Sequence, residues 1–316
     1  MDCGYASIIR PRPMKSGTTV KRVKFQGFEA VELLTPALRL VALTAMGPRV
    51  AFVGQPGGDN LLLWAPGKYR RGEWDLMGGH RLWVARPGAD EAEETYAADN
   101  QPCHLDPHAD GFTLTAPMDP VHRTRRGVRV TVLAPDRVAL DHFVRNESDM
   151  LWSGGLWALT STVPSKAATY TVPLGDGSSW DYATVVSFRI WGGGHGGVGF
   201  DDPQFGYTDD AMVLSPAGRE NKRMLKADAG IVAMHDPVRR LLFAKHTGYQ
   251  PDASYPLGTN LALYVGPKNF MVEMETMGPI VTLKPGQSLG LRETWVLGAA
   301  KTAPTAKTLR GLFPPT

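Results

Sequence analysis

The sequence predicts an all-β fold, a large antiparallel β-sandwich with few short helices. Three observations predict it. Glycine (35 residues) and proline (25) together make up about a fifth of the 316 residues, which is above the usual share. Few stretches between these residues are long enough for a helix. Several stretches instead alternate apolar and polar residues with a period of two, and turn sequences separate them, as in β-hairpins.

The predicted strands follow one another along most of the chain. Short strands are expected at 30–34, 38–44 and 49–53, and a final strand at 289–297. Three hairpins are predicted between them, with Pro in each turn: 128–133 with 137–144, 230–235 with 239–245, and 260–265 with 270–276.

Two segments depart from this pattern. Residues 164–210 are the least regular and rich in aromatic residues, so we expect loops that cover one face of a sheet. Residues 305–313 could form a short helix that Pro314 ends. Since no linker divides the chain, we predict a single domain over 21–300, a flexible tail over 1–20, and a tail or short helix over 301–316.

Composition excludes several classes of function. The chain has 34 basic and 31 acidic residues, a formal charge of +3, so nucleic acid is not the expected partner. The basic run at 123–129 has no interleaved aromatic residues and indicates a solvated hairpin. No apolar run approaches the roughly 18 residues of a membrane helix. The start lacks a secretory signal, so a cytoplasmic protein is expected, or a periplasmic or secreted one if a leader has been removed.

Two glutamates in one predicted strand are the first candidate site. In the strand 270–276, alternation places Glu273 and Glu275 on one face and Val272 and Met274 on the other. Side chains two residues apart start about 6 to 7 Å from each other, close enough for each carboxylate to disfavour ionisation of the other. One could act as a base while the other binds a hydroxyl; the alternative is a solvated face.

Histidines and an arginine beside glycines form the second group of candidates. Gly78-Gly79 would let a ligand approach the backbone, and His80 and Arg81 follow with an imidazole and a planar cation. His195 lies in the glycine run 192–197, and His246 follows the second hairpin. For each of these candidates the alternative is a purely structural role, in a turn or at a solvent-exposed position without function.

No metal site is predicted. His104, Asp106, His108 and Asp110 occur at every second position, which on a strand would align possible ligands. Pro102 and Pro107 argue against a strand there, so a polar loop is preferred. The two cysteines, Cys3 and Cys103, form neither a disulfide framework nor a CxxC motif.

The sequence resembles a bacterial branch of the galactose mutarotase-like β-supersandwich superfamily between Val31 and Leu297. The matching residues are Gly47-Pro48-Arg49-Val50, Asp59-Asn60-Leu61-Leu62, the run 78–83, Asn146, the run 274–279, Leu283-x-Pro285-Gly286 and Glu293-Thr294-Trp295. In aldose 1-epimerases of this superfamily, a glutamate near the C-terminal end is the general base and a central histidine is the general acid. The resemblance implies that Glu275 is this glutamate.

The family histidine has no counterpart here. It follows the central Asn by about ten residues, where this chain has Leu156-Trp157-Ala158. We therefore consider His80, or His195, as the acid from a different loop.

The resulting hypothesis is an aldose 1-epimerase-like isomerase that acts on a small carbohydrate and needs no cofactor. Glu275 and His80 would be catalytic. The expected sugar contacts are Arg81, Glu273, Trp180, Trp191, His195 and His246. The alternatives are a polysaccharide lyase or glycoside hydrolase, and a sugar-binding protein without turnover. The sequence does not predict an oligomeric state.

Overall fold

A computed structural model describes residues 17–71, 74–85, 100–175, 182–188 and 200–314. Within these ranges the strands are β1 (Thr19–Phe25), β2 (Phe28–Leu34), β3 (Arg39–Leu43), β4 (Arg49–Gly54), β5 (Arg70–Arg71), β6 (Trp74–Asp75), β7 (Gly79–Ala85), β8 (His104–His108), β9 (Gly111–Thr115), β10 (Thr124–Ala134), β11 (Arg137–Asn146), β12 (Trp152–Thr162), β13 (Thr169–Pro173), β14 (Thr184–Ser187), β15 (Phe205–Tyr207), β16 (Ala211–Leu214), β17 (Asn221–Lys226), β18 (Ile231–Asp236), β19 (Leu241–Thr247), β20 (Leu261–Val265), β21 (Val272–Met277), β22 (Val281–Leu283) and β23 (Ser288–Ala299).

The strands build two large antiparallel sheets. The first, here called the larger sheet, has 11 of the described strands in the order β1-β2-β3-β4-β7-β12-β21-β20-β17-β14, with β22 paired to β12. The second, the smaller sheet, has ten in the order β15-β16-β13-β18-β19-β23-β11-β10-β9-β8. A further two-stranded sheet pairs β5 with β6. The predicted all-β antiparallel sandwich is confirmed.

The main core lies between the two sheets. Each strand turns alternate residues toward this interior, for example Leu40 and Ala42 of β3 and Val138 and Leu140 of β11. A fully buried Leu or Val side chain contributes about 1.5–3 kcal/mol relative to leaving it in water. Strands β2 to β4 also bury their other face, in a cluster that includes Phe52, which explains why their sequences are apolar almost throughout.

The three predicted hairpins are present. Strand β10 pairs with β11, β18 with β19, and β20 with β21, all antiparallel. The single described α-helix, α1 (Ala306–Leu312), begins after Thr305, whose side-chain oxygen accepts a hydrogen bond from the Thr308 amide at 3.1 Å. No helix within the described ranges is long and apolar enough to cross a membrane.

Other expectations differ from the structure. The segment predicted as a polar loop, from His104 to His108, is strand β8, because Pro107 lies on an edge strand, where a missing N–H costs least. Within the described part of the segment 164–210, strands β13, β14 and β15 stand where loops were predicted. Strand β1 begins at Thr19, inside the predicted tail, and residues 1–16 lie outside the described residues.

Candidate active site

Functional side chains converge on the face of the larger sheet that points away from the smaller sheet, here called the outer face. Strands β7, β12 and β21 are neighbours, and Leu159 is paired with Arg81 on one side and with Glu275 on the other. Two pairs along the same strands, Ser161 lies opposite Glu273. Because paired residues point the same way, the pairing brings Arg81, Glu273 and Glu275 to one face, two strands apart.

Glu275 occupies the centre of this group and is completely buried. Its Oε2 accepts hydrogen bonds from Trp157 Nε1 and Lys222 Nζ, each at 2.8 Å. Its Oε1 has no hydrogen-bond partner among the described residues. A buried carboxylate oxygen without a donor is costly, so Oε1 has capacity for a hydrogen bond that the described residues do not supply.

The environment of Glu275 also changes its acidity. Burial raises the pKa of Glu275 above its ordinary value, the Lys222 ammonium opposes this rise, and the charge of Glu273 adds to it. The predicted effect of a neighbouring carboxylate is therefore present at Glu275, but it is smaller than the effects of burial and of Lys222. A carboxylate with a raised pKa is a stronger base than a solvated one.

Glu273 is held in a polar triangle beside Glu275. Its Oε1 accepts a hydrogen bond from Ser161 Oγ at 2.8 Å and lies 3.3 Å from Arg81 Nη2. Arg81 Nη1 reaches Ser161 Oγ at 3.3 Å. The structure thus joins two of the predicted sugar contacts, Arg81 and Glu273, to Glu275.

Two tryptophans form the apolar side of the group. The rings of Trp83 and Trp157 meet edge to face, with centroids 5.5 Å apart. The Arg81 guanidinium lies 4.4 Å from the Trp83 centroid, and Lys222 Nζ lies 4.8 Å from that of Trp157. Each cation therefore has an aromatic contact in addition to a carboxylate.

Tyr264 extends the group toward β20. It is paired with Glu273, and its hydroxyl donates a hydrogen bond to Glu220 Oε1 at 2.6 Å. Burial, followed by the Glu220 carboxylate and the nearby charges of Glu273 and Glu275, raises the pKa of the Tyr264 phenol. The phenol stays protonated and can donate but is a poor acid.

The structure does not bring His80 to this site. His80 is the residue before Arg81, so its side chain points to the opposite face, into the interior between the sheets, where it is 1% exposed. Its ring nitrogens lie 2.8 Å from Thr160 Oγ1 and 2.9 Å from His142 Nε2. The expectation that His80 donates a proton beside Glu275 is corrected by this placement.

The glycines before His80 also have a different purpose from the one predicted. Gly78 and Gly79 have φ values of +85° and +78°. A Cβ atom at Gly78 would lie 2.4 Å from the Leu63 oxygen, and one at Gly79 would lie 2.5 Å from the Val50 oxygen. They allow close contact with neighbouring backbone rather than with a ligand.

Of the other predicted sugar contacts, His246 is not part of this group. His246 lies on β19 of the smaller sheet, half-buried, with its ring stacked on Phe313 at 5.1 Å. Burial lowers the pKa of His246. Trp180, Trp191 and His195 lie outside the described residues.

Sequence reasoning missed several residues of the site, among them Lys222 and Trp157. Trp157 lies in the segment where proteins of the resembled family have their histidine. Its position in the sequence therefore indicated a residue of the site. Lys222 is the second residue of β17, a strand whose sequence contains no recognisable motif. Only one strand, β20, separates β17 from β21, so the Lys222 side chain can reach Glu275.

Only one group of side chains within the described ranges has the arrangement of metal ligands. It consists of His80, His142 and Glu293, whose ligand atoms lie within 4.8 Å of one another. This group lies between the sheets, on the other side of the larger sheet from Glu275.

Comparisons with known proteins define the fold. No protein-family model and no curated protein matches the sequence. Similar solved structures include a candidate aldose 1-epimerase from Escherichia coli K12, with a TM-score of 0.59 and 12% identity over 90% of this chain and 100% of that chain. A galactose mutarotase-like protein from Lactobacillus casei has a TM-score of 0.57 and 11% identity, over 89% and 100% of the two chains.

A galactose mutarotase-like protein from Clostridium acetobutylicum gives a TM-score of 0.55 and 10% identity, over 90% of this chain and 100% of that chain. At such low identity the likeness concerns the fold. The chain has the galactose mutarotase-like β-sandwich fold, in agreement with the resemblance found in the sequence.

Proposed function

We propose that this protein is a sugar isomerase of the aldose 1-epimerase kind, with Glu275 as its general base. The observation that carries the proposal is the buried Oε1 atom of Glu275, which has no hydrogen-bond partner among the described residues while Oε2 is fixed by two donors. Such an oxygen can accept the proton of an anomeric hydroxyl, and its raised pKa suits it to keep that proton briefly.

Lys222 is the proposed proton donor. Ring opening of a sugar requires a base at the anomeric hydroxyl and an acid at the ring oxygen, and both oxygens are attached to the same carbon. Lys222 Nζ contacts the same carboxyl group that offers Oε1, at 2.8 Å from Oε2. Glu275 Oε1 and Lys222 Nζ are therefore close enough to act on the anomeric hydroxyl and the ring oxygen of one sugar.

The proposed reaction conserves atoms and charge. Glu275 takes the anomeric proton, the bond between the anomeric carbon and the ring oxygen breaks, and the ring oxygen takes a proton from Lys222. The open-chain aldehyde turns about its terminal bond, and the reverse steps close the ring as the other anomer. Arg81 and Glu273, on the same face, bind the remaining hydroxyls.

The test is polarimetry or NMR of freshly dissolved α-anomers across a panel of sugars. Wild-type protein should accelerate equilibration of at least one sugar, and Glu275→Gln should lower that rate by about 100-fold or more. The matched control is Glu32→Gln, since Glu32 is also a buried glutamate in ion pairs, with Arg39 at 2.7 Å and Lys21 at 3.0 Å, but lies on β2.

Two outcomes would contradict the proposal. Unchanged activity in Glu275→Gln would exclude this base. An absence of acceleration for every sugar, with binding retained, would indicate a sugar-binding protein without turnover.

A further inference from the structure

The interior between the sheets holds a polar cluster that the proposed sugar chemistry does not use. His80 comes from β7 of the larger sheet, and His142, Lys245 and Glu293 come from β11, β19 and β23 of the smaller sheet. All four are at most 3% exposed. Burying so many ionisable groups is costly unless each is neutral, paired or bound to an ion.

We propose that His80, His142 and Glu293 bind one divalent transition-metal ion, with Zn²⁺ as the best fit, between the two sheets. The inference is independent of the proposed function, because the cluster lies on the other face of the larger sheet from Glu275.

The distances between the three donor atoms support an ion. His80 Nε2 and His142 Nε2 are 2.9 Å apart, and Glu293 Oε2 lies 3.5 Å from the first and 3.7 Å from the second. A point equidistant from all three lies about 2.0 Å from each, which is the length of zinc bonds to imidazole nitrogen and carboxylate oxygen. The two distances to the carboxylate are too long for good hydrogen bonds but suit two ligands of one ion.

Outer partners hold two of the three ligands in place. His80 Nδ1 lies 2.8 Å from Thr160 Oγ1, which leaves Nε2 for the ion. Trp295 Nε1 donates to Glu293 Oε2 at 2.9 Å, and Lys245 Nζ donates to Oε1 at 2.8 Å. Such second contacts are typical of metal ligands. His142 is the exception, since its Nδ1 has no hydrogen-bond partner in the described part of the chain.

Lys245 lies beside the proposed site and pairs with one oxygen of Glu293, Oε1, at 2.8 Å. The other oxygen, Oε2, is the one that faces the two imidazoles. Without an ion, the same groups form a Lys245–Glu293 ion pair and one hydrogen bond between the imidazoles.

Metal analysis distinguishes these two states. The untagged full chain, purified without chelator from zinc-supplemented cells, should contain about one zinc per chain by mass spectrometry. Removing it should lower the thermal midpoint of unfolding, and adding ZnCl₂ should restore it. Cobalt added to the protein should give visible absorption that is absent without the metal and that His142→Asn loses.

The matched pair of variants is His142→Asn and His235→Asn. His235 is also a buried histidine of the smaller sheet, 4% exposed, on β18. We expect His142→Asn to lose about 90% or more of the bound zinc and His235→Asn to keep it. If His142→Asn does not fold, the wild-type protein decides: less than about 0.1 zinc per chain after incubation with ZnCl₂, with no change in the midpoint, would overturn the proposal.

Discussion

The ion pair between Lys222 and Glu275 gives a quantitative prediction about stability. Lys222 Nζ and Glu275 Oε2 are 2.8 Å apart, and the two side chains are 4% and 0% exposed. At an effective dielectric constant of about 20, their gross attraction is about 6 kcal/mol, and loss of hydration offsets much of it. Removing one partner leaves the other charge buried, which costs about 3–5 kcal/mol.

We expect Lys222→Met and Glu275→Gln each to lower the free energy of unfolding by this amount. The double variant removes both charges, so its cost should fall below the sum of the single costs by about 2 kcal/mol or more. A control cycle on the exposed pair Arg292–Asp141, 3.1 Å apart, should give a coupling of at most about 1 kcal/mol.

The penalty in Lys222→Met should depend on pH. Without the ammonium, the already raised pKa of Glu275 rises further above that of an unfolded glutamate, about 4.3. Protonation then favours the folded state at low pH, and this support is lost as pH rises through the folded pKa. The variant should therefore lose more stability at pH 8 than at pH 5.

Urea unfolding followed by tryptophan fluorescence measures these free energies at both pH values. Additive effects of the two substitutions, within about 0.5 kcal/mol, would refute the reasoning, because they would mean that the two charges do not interact.

Three further substitutions test other contacts in the structure. Trp157→Phe removes the indole donor to Glu275 and should raise its pKa, so the acidic limb of the pH–rate profile should move to higher pH. Asp236→Asn should lower the free energy of unfolding by about 1–3 kcal/mol at pH 7, measured by urea unfolding. Burial raises the pKa of Asp236, but its hydrogen bonds outweigh burial and lower it, so this loss should shrink as pH falls below about 4. Gly78 has φ +85°, and a Cβ added there would lie 2.4 Å from a backbone oxygen, so Gly78→Ala should lower the free energy of unfolding by about 2–4 kcal/mol. Gly57 has φ +73°, but a Cβ added there would meet nothing within 4 Å, so Gly57→Ala should lower it by only about 1 kcal/mol.

The sequence predicts much of the fold because the signals are local. A hairpin such as β18–β19 needs two apolar stretches and a turn around Asp236-Pro237, all within 17 residues of the chain. The same local reasoning was wrong for Pro107, because whether a strand lies at the edge of a sheet depends on partners far away in the sequence.

The candidate site is harder to predict from the sequence than the fold is. Alternation correctly places Glu273 and Glu275 on one face, and it also separates His80 from Arg81, since adjacent strand residues point to opposite faces. Which of these two residues shares the face of Glu275 is decided by the register between β7, β12 and β21. Lys222 is 53 residues from Glu275, and only the strand order brings them together.

The proposed isomerase function rests on the chemistry of Glu275, and exchange NMR at equilibrium tests it most directly. A sugar that binds the protein is held at anomeric equilibrium, and two-dimensional exchange spectra are recorded with and without protein. Exchange peaks between the α and β resonances should appear with wild-type protein and vanish with Glu275→Gln. Shifted or broadened resonances without exchange peaks would show binding without ring opening and would contradict the proposed function.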